Sequence, residues 1–114
     1  MKPFQRGQIW LVNFDPSFGY EYRKVRPALI VENTSCIESS NLLTCCPISS
    51  QTDKPFILDY EVTRNDQNRL MKDSLVKIMQ ISSFDKRRFI KFVGVIDAGE
   101  MEEIDQNLKM YLSL

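Results

Sequence analysis

Arg26 stands directly before Pro27, at the head of the apolar run A-L-I-V over residues 28–31. Proline fixes its own φ, pushes the preceding residue towards extended backbone and has no N–H, so the pair belongs at a strand start or a sheet edge. That places a guanidinium at the rim of a rigid element. The group is permanently charged and offers forked donors to phosphate or carboxylate oxygens. Taken alone, such an arginine more often serves a structural ion pair with a nearby carboxylate, since structural pairs outnumber active-site arginines. Immediately upstream, residues 17–24 read S-F-G-Y-E-Y-R-K. This is a glycine-punctuated loop that carries Tyr20, Glu21, Tyr22, Arg23 and Lys24 up to Arg26. Functional groups concentrate on loops of this kind, although a hairpin tip with solvated charges has the same composition. The sequence contains no histidine, which removes the commonest general base and the commonest zinc ligand. Catalysis must then use Arg, Lys, Asp, Glu, Ser, Thr, Tyr or Cys. Asp59, Glu61 and Asp66 have no spacing that fixes a metal, so no metal or other cofactor is expected.

The elements that hold these residues follow from pattern and composition. With 114 residues, 43% hydrophobic and 26% charged, the chain is expected to form a single domain over residues 1–114 with one core. Fifteen basic and fifteen acidic residues cancel, so binding to nucleic acid would have to come from local clustering. Residues 23, 24 and 26 form one basic group, and Lys86, Arg87, Arg88 and Lys91 form another. Glu100, Glu102, Glu103 and Asp105 are the counterweight, so neutrality can hide a basic and an acidic face. Cys36, Cys45 and Cys46 have no metal-ligand spacing. Cys45 and Cys46 are adjacent and on a strand face opposite ways, as buried free thiols would in a reducing compartment. The first residues, M-K-P-F-Q-R-G, have no apolar signal core, and no window approaches transmembrane length, so a cytoplasmic protein is expected.

Six strands are expected, over residues 8–14, 25–33, 42–48, 56–62, 74–81 and 89–96. Asp15-Pro16 ends the first. The second is bounded by polar residues and reads as covered on both faces. Residues 56–62 alternate, with Phe56, Leu58, Tyr60 and Val62 on one face. Residues 34–41 and 63–72 read as polar connections, residues 82–88 hold a single helical turn, and Gly94 suggests a bulge. The period then changes. Asp97 and Glu100 give a helix N-terminus signal, and Met101, Ile104, Leu108, Tyr111 and Leu112 share one helical face. Acidic residues in the first turns favour the helix dipole. The sum is a mainly β fold, a small, strongly bent or partly open barrel with a C-terminal helix.

Five stretches in order carry a resemblance. They are R-G-Q-I-W-L-V-N-F-D-P (6–16), G-Y-E-Y-R-K-V-R-P-A-L-I-V (19–31), C-P-I-S-S-Q (46–51), D-S-L-V-K-I-M-Q-I (73–81) and F-D-K-R-R (84–88). Together they resemble the MazF/PemK family of toxin–antitoxin ribonucleases. The resemblance implies an SH3-like barrel that works as a homodimer and cuts single-stranded RNA, such as mRNA, selectively and without a metal. It implies catalytic roles for Arg26, for Ser49 at a position where the family usually has threonine, and for Glu21 in the loop between the first two strands. It implies an RNA path over Tyr20, Tyr22, Arg23, Lys24, Ser50, Gln51, Lys77, Gln80, Lys86 and Arg87. Met79, Ser82 and Lys77 depart from residues seen in some relatives.

The chemistry fits this set. RNA carries its own nucleophile, the 2′-hydroxyl beside the scissile phosphate. The protein need only orient it, move protons and stabilise charge on a phosphorane, which a guanidinium and a hydroxyl can do. Arginine is a poor general base because its pKa is about 12 or higher, so Glu21 or water is the expected proton acceptor. The products implied are a 2′,3′-cyclic phosphate and a 5′-hydroxyl. The implied partner is an antitoxin whose acidic, disordered tail folds across the basic groove. An alternative from another class is a CcdB-like toxin of similar fold that binds DNA gyrase without cutting RNA, and a third is an attenuated MazF-like protein.

Overall fold

A computed structural model describes residues 3–15 and 24–114. Its strands are β1 (Gln8–Asn13), β2 (Val25–Ile30), β3 (Leu42–Ser49), β4 (Tyr60–Val62), β5 (Ser74–Val76), β6 (Ser82–Asp85) and β7 (Phe89–Val95), followed by helix α1 (Ala98–Leu112). Among the described residues these seven strands form one antiparallel sheet in the order β4-β5-β3-β2-β1-β7, with β6 also paired to β3. The sheet does not close, so the bent, partly open, mainly β architecture expected from the sequence is the one observed.

β3 explains the bend. Its first half pairs with β6 (Leu42 opposite Asp85, Cys45 opposite Ser82), whereas its end pairs with β5 (Ile48 opposite Val76, Ser49 opposite Leu75). One edge therefore serves two partners, and the Lys77 amide bridges the gap by donating to Pro47 O at 2.8 Å. A single strand reading of residues 74–81 is corrected here. β5 stops at Val76, and a short 3-10 turn, Ile78–Gln80, redirects the chain into β6, a strand not expected from the sequence, so that the helical turn expected over residues 82–88 is confined to Lys86–Arg88.

Both faces of the sheet are covered, which accounts for the unbroken apolar run in β2. Leu29 packs with Ile9, Cys46, Ile48, Met101 and Ile104 on the face under α1. Its neighbours Ala28 and Ile30 pack with Trp10, Val12, Leu43, Cys45 and Phe89 on the other. Cys45 and Cys46 thus face opposite ways, both fully buried. Burial holds the Cys45 thiol far above the ordinary range and pushes Cys46 up to about 12.

The ends of the elements obey local rules, with three departures. Asp97 caps α1 by accepting the Glu100 amide at 2.8 Å, and Met101, Ile104 and Leu108 turn inward as the spacing requires. Tyr111 and Leu112 instead remain exposed at the last turn. Residues 34–41 contain a 3-10 turn, Thr34–Ser39, capped by Asn33 and anchored by buried Ile37. The alternation over residues 56–62 yields only the short β4. Phe56 and Ile57 are exposed because the Asp59 carboxylate accepts the Phe56 amide at 2.7 Å and closes a turn, with Leu58 at φ 68°. Gly7, at φ 90°, occupies a backbone conformation that favours glycine and bonds both Ile30 O and the Ile96 amide at 2.9 Å. Among the described residues no helix is long and apolar enough to cross a membrane.

Candidate active site

The register of β2 and β3 pairs Ala28 with Pro47, Leu29 with Cys46 and Ile30 with Cys45. Continued two residues outward, it sets Arg26 opposite Ser49. Both side chains line one cleft of about 670 Å³, together with Pro27, Ser50 and Gln51. The cleft lies where β2 begins and β3 ends. Leu11 of β1 and Lys91, Phe92 and Val93 of β7 also line it, and residues 69–72 form a further wall.

Ser49 is oriented by its own turn. Its Oγ accepts the Gln51 amide at 3.2 Å, which occupies one lone pair and leaves the O–H to donate elsewhere. Arg26 is exposed and makes no ion pair with any described residue. Among the described residues the lining holds four cations, Arg26, Arg69, Lys72 and Lys91, and no acidic residue. In a chain of zero formal net charge, a cleft of one sign is a local field for an anion. The balancing acids sit elsewhere. A second groove, of about 860 Å³ beside α1, is lined by Glu32, Glu102, Glu103 and Asp105 against Arg6 and Lys109. Of the expected acidic counterweight, Glu102, Glu103 and Asp105 line this groove, and of the expected basic groups, Arg26 and Lys91 line the cleft.

Among the other site residues expected from the sequence, Tyr20, Glu21, Tyr22 and Arg23 lie outside the described residues. Lys24 is exposed at φ 62°, close to Arg26 in sequence but not part of the cleft lining. Its amide donates to Asp15 Oδ1 at 2.8 Å and its carbonyl accepts the Phe14 amide at 2.8 Å. Arg88 adds Nη1 bonds to Asn13 O and Asp15 O, so the feet of the intervening loop are fixed next to Arg26. Gln80 is exposed on its 3-10 turn, away from the cleft.

Lys77, Lys86 and Arg87 are each held by the protein itself. Lys77 Nζ is 2.5 Å from Asp59 Oδ2, and that carboxylate is 2% exposed. Lys86 Nζ donates to Ile37 O at 2.5 Å. Arg87 donates two bonds of 3.0 Å to Asp85. These bonds, and Arg87's charge, hold the Asp85 carboxyl down at about 2. Of the basic group 86–91, Lys91 alone lines the cleft.

Arg69 and Lys72 were hidden in what reads as an ordinary polar loop. The usable signal was the pair Asn65 and Asn68, whose side chains commonly bond nearby amides and build turns.

Residues 5–112 match the family described as PemK-like, MazF-like toxin of type II toxin-antitoxin system, and the chain belongs to that family. Among curated relatives, it is 31% identical over 117 residues to Endoribonuclease MazF9 of Mycobacterium tuberculosis, covering 96% of this chain and 97% of the relative. Among solved structures, MazF (Form-I) from Deinococcus radiodurans aligns with a TM-score of 0.80 at 23% identity, covering 98% of this chain and 97% of that one. A mycobacterial endoribonuclease solved with its cognate antitoxin aligns at 0.78 and 16% identity, covering 98% and 97%.

Proposed function

We propose that this protein is the RNA-cleaving toxin of a toxin–antitoxin pair, and that Arg26 and Ser49 act on one scissile phosphate. The observation that carries this reading is the shared cleft: a guanidinium and a donor hydroxyl, set opposite each other on adjoining strands, in a pocket whose charged lining residues, among those described, are all cations. The curated relative's name, an endoribonuclease, supports it.

In the proposed step the RNA 2′-oxygen attacks the adjacent phosphorus and the bond to the 5′-oxygen breaks. A 2′,3′-cyclic phosphate and a 5′-hydroxyl result. The 2′-hydroxyl proton passes to Glu21 or to water, and the leaving 5′-oxygen takes a proton from water, so that no net proton is consumed. Arg26 places its fork on the non-bridging oxygens, where charge grows, and Ser49 donates to the same group. Ser50 and Gln51 extend the floor along the strand end. Single-stranded RNA is held by charge along its backbone with bases on aromatic rings, and Tyr20 and Tyr22 are proposed for the latter. The active form is a homodimer, and an antitoxin's acidic tail competes with RNA for the same cations.

The test uses purified protein and single-stranded RNA in EDTA. Cutting is expected at a defined step, with a cyclic phosphate end, and is lost when the nucleotide 5′ of the cut carries 2′-deoxyribose. RNA left intact, with inhibition of DNA gyrase instead, would establish the CcdB-like alternative, which membership of the PemK/MazF family does not favour.

A further inference from the structure

The wall of the cleft formed by residues 63–73 is built with more internal bonding than a connection requires. Asn68 is 1% exposed. Its Oδ1 accepts the amides of Asn65 at 3.0 Å and Leu70 at 3.1 Å, and its Nδ2 donates to Thr63 O at 2.9 Å. Asn65 Oδ1 in turn accepts the amides of Gln67 and Asn68. Arg64 clamps the two ends, its amide donating to Asp73 Oδ1 at 2.9 Å and its Nε to Leu70 O at 3.2 Å. Leu70 is plugged into the core. On the outer side, the Val95 amide donates to Gln67 O at 3.0 Å, and the loop backbone lies directly on Gly94.

This rigid frame holds Arg69 at φ 55°, a conformation that costs a non-glycine residue energy and suits glycine. The Arg69 and Lys72 side chains form no hydrogen bond or ion pair with any described residue, and both line the cleft. An unpaired arginine kept at an unfavourable backbone position by a fully bonded frame stabilises nothing in the protein, which points to a ligand. The ligand must be anionic, and an extended one fits best, because Lys91 of β7 and Arg26 of β2 share the cleft with this wall and no carboxylate is among the described lining residues.

We propose that residues 63–73 are a preassembled arm that grips the RNA backbone beside the scissile phosphate, with Arg69 and Lys72 each taking one flanking phosphate. This rests on the ribonuclease reading of the cleft. Flanking phosphates carry the same charge in the ground and transition states, so contacts to them act on affinity rather than on the chemical step.

The experiment measures binding of a fluorescent single-stranded RNA, made uncleavable by one 2′-deoxyribose at the cut, across a salt series. Steady-state cleavage of the all-ribose RNA is measured alongside. Arg69→Gln with Lys72→Gln is expected to weaken binding at least tenfold and to flatten the slope of log affinity against log salt by about 1.4, at about 0.7 per lost single-strand phosphate contact. The loss should fall on KM rather than on kcat, and Arg69→Lys should restore most of it. Arg69→Gly separates function from folding: it is expected to melt at or above the parent's temperature while binding RNA more weakly. A parent that binds and cuts RNA, with the double variant keeping the parental salt slope, overturns the arm and leaves the cleft standing. A parent that neither binds nor cuts overturns both.

Discussion

Gly94 carries a prediction whose size can be worked out from the structure. A Cβ added there would lie 2.4 Å from Asn68 O, 2.5 Å from Gln67 O and 2.6 Å from Asn68 C. All three are backbone atoms, so no side chain can swing aside. An easy carbon–oxygen contact needs about 3.3 Å, so β7 and the 63–73 wall must part by roughly 1 Å. Gly94 has no positive φ, so Gly94→Ala acts by volume and not by backbone conformation. Overpacking of this kind costs about 1–3 kcal/mol. Loss of the Val95–Gln67 hydrogen bond adds about 1 kcal/mol. For a domain of this size, about 3 kcal/mol in total corresponds to a fall of roughly 12 °C in Tm, at about 4 °C per kcal/mol. Thermal and urea unfolding of Gly94→Ala should show that loss, and RNA affinity should fall as Arg69 is displaced. A variant with the parent's Tm and urea midpoint would refute the claim that the wall is seated on β7.

Three further outcomes follow from the packing and the charges. Lys77→Ala should cost about 3 kcal/mol in urea unfolding, because it leaves the buried Asp59 carboxylate without its cation. At pH 8 a thiol reagent should titrate Cys36 rapidly and reach Cys45 and Cys46 only on unfolding, since Cys36 is exposed and the other two are buried with raised pKa. Asp85 titrates at about 2 in the folded protein, below the unfolded value of about 3.9. The Asp85–Arg87 pair therefore adds stability above about pH 4, and that contribution is lost as pH falls towards 2. In an NMR titration, Arg87→Ala should move the Asp85 midpoint up towards the unfolded value.

Much of this architecture is legible in the sequence because the signal is local. The Arg26-Pro27 step and the uninterrupted 28–31 run determine how β2 starts and that it is covered on both sides, and Leu29 and Ile30 do pack into opposite cores. Asp97 announces α1 through its cap. The bulge suggested by Gly94 occurs next to it, where the β1–β7 register shifts between Ile9–Gly94 and Trp10–Phe92. Signals fail where long-range partners decide. Phe56 and Ile57 alternate as a strand would, but Asp59 makes a turn there and is itself held by Lys77, 18 residues away. β6 exists because β5 covers only the end of β3, at Ile48 and Ser49, and leaves the edge of residues 42–45 to another strand, which residues 82–85 alone cannot reveal. At the site, the alcohol and the guanidinium were readable from their motifs. Arg69 and Lys72 were not, because a polar loop looks alike whether Asn68 is solvated or buried at its centre.

The most direct test of the central claim is the single-turnover cleavage rate of a defined RNA, in EDTA, by Arg26→Ala and by Ser49→Ala, with folding of each variant checked by its melting curve. Each change removes one donor to the charged phosphorane, so each should slow the cut by about 10²–10³-fold at saturating RNA with Tm close to the parent's. A folded Arg26→Ala that cuts at the parental rate would contradict the assignment.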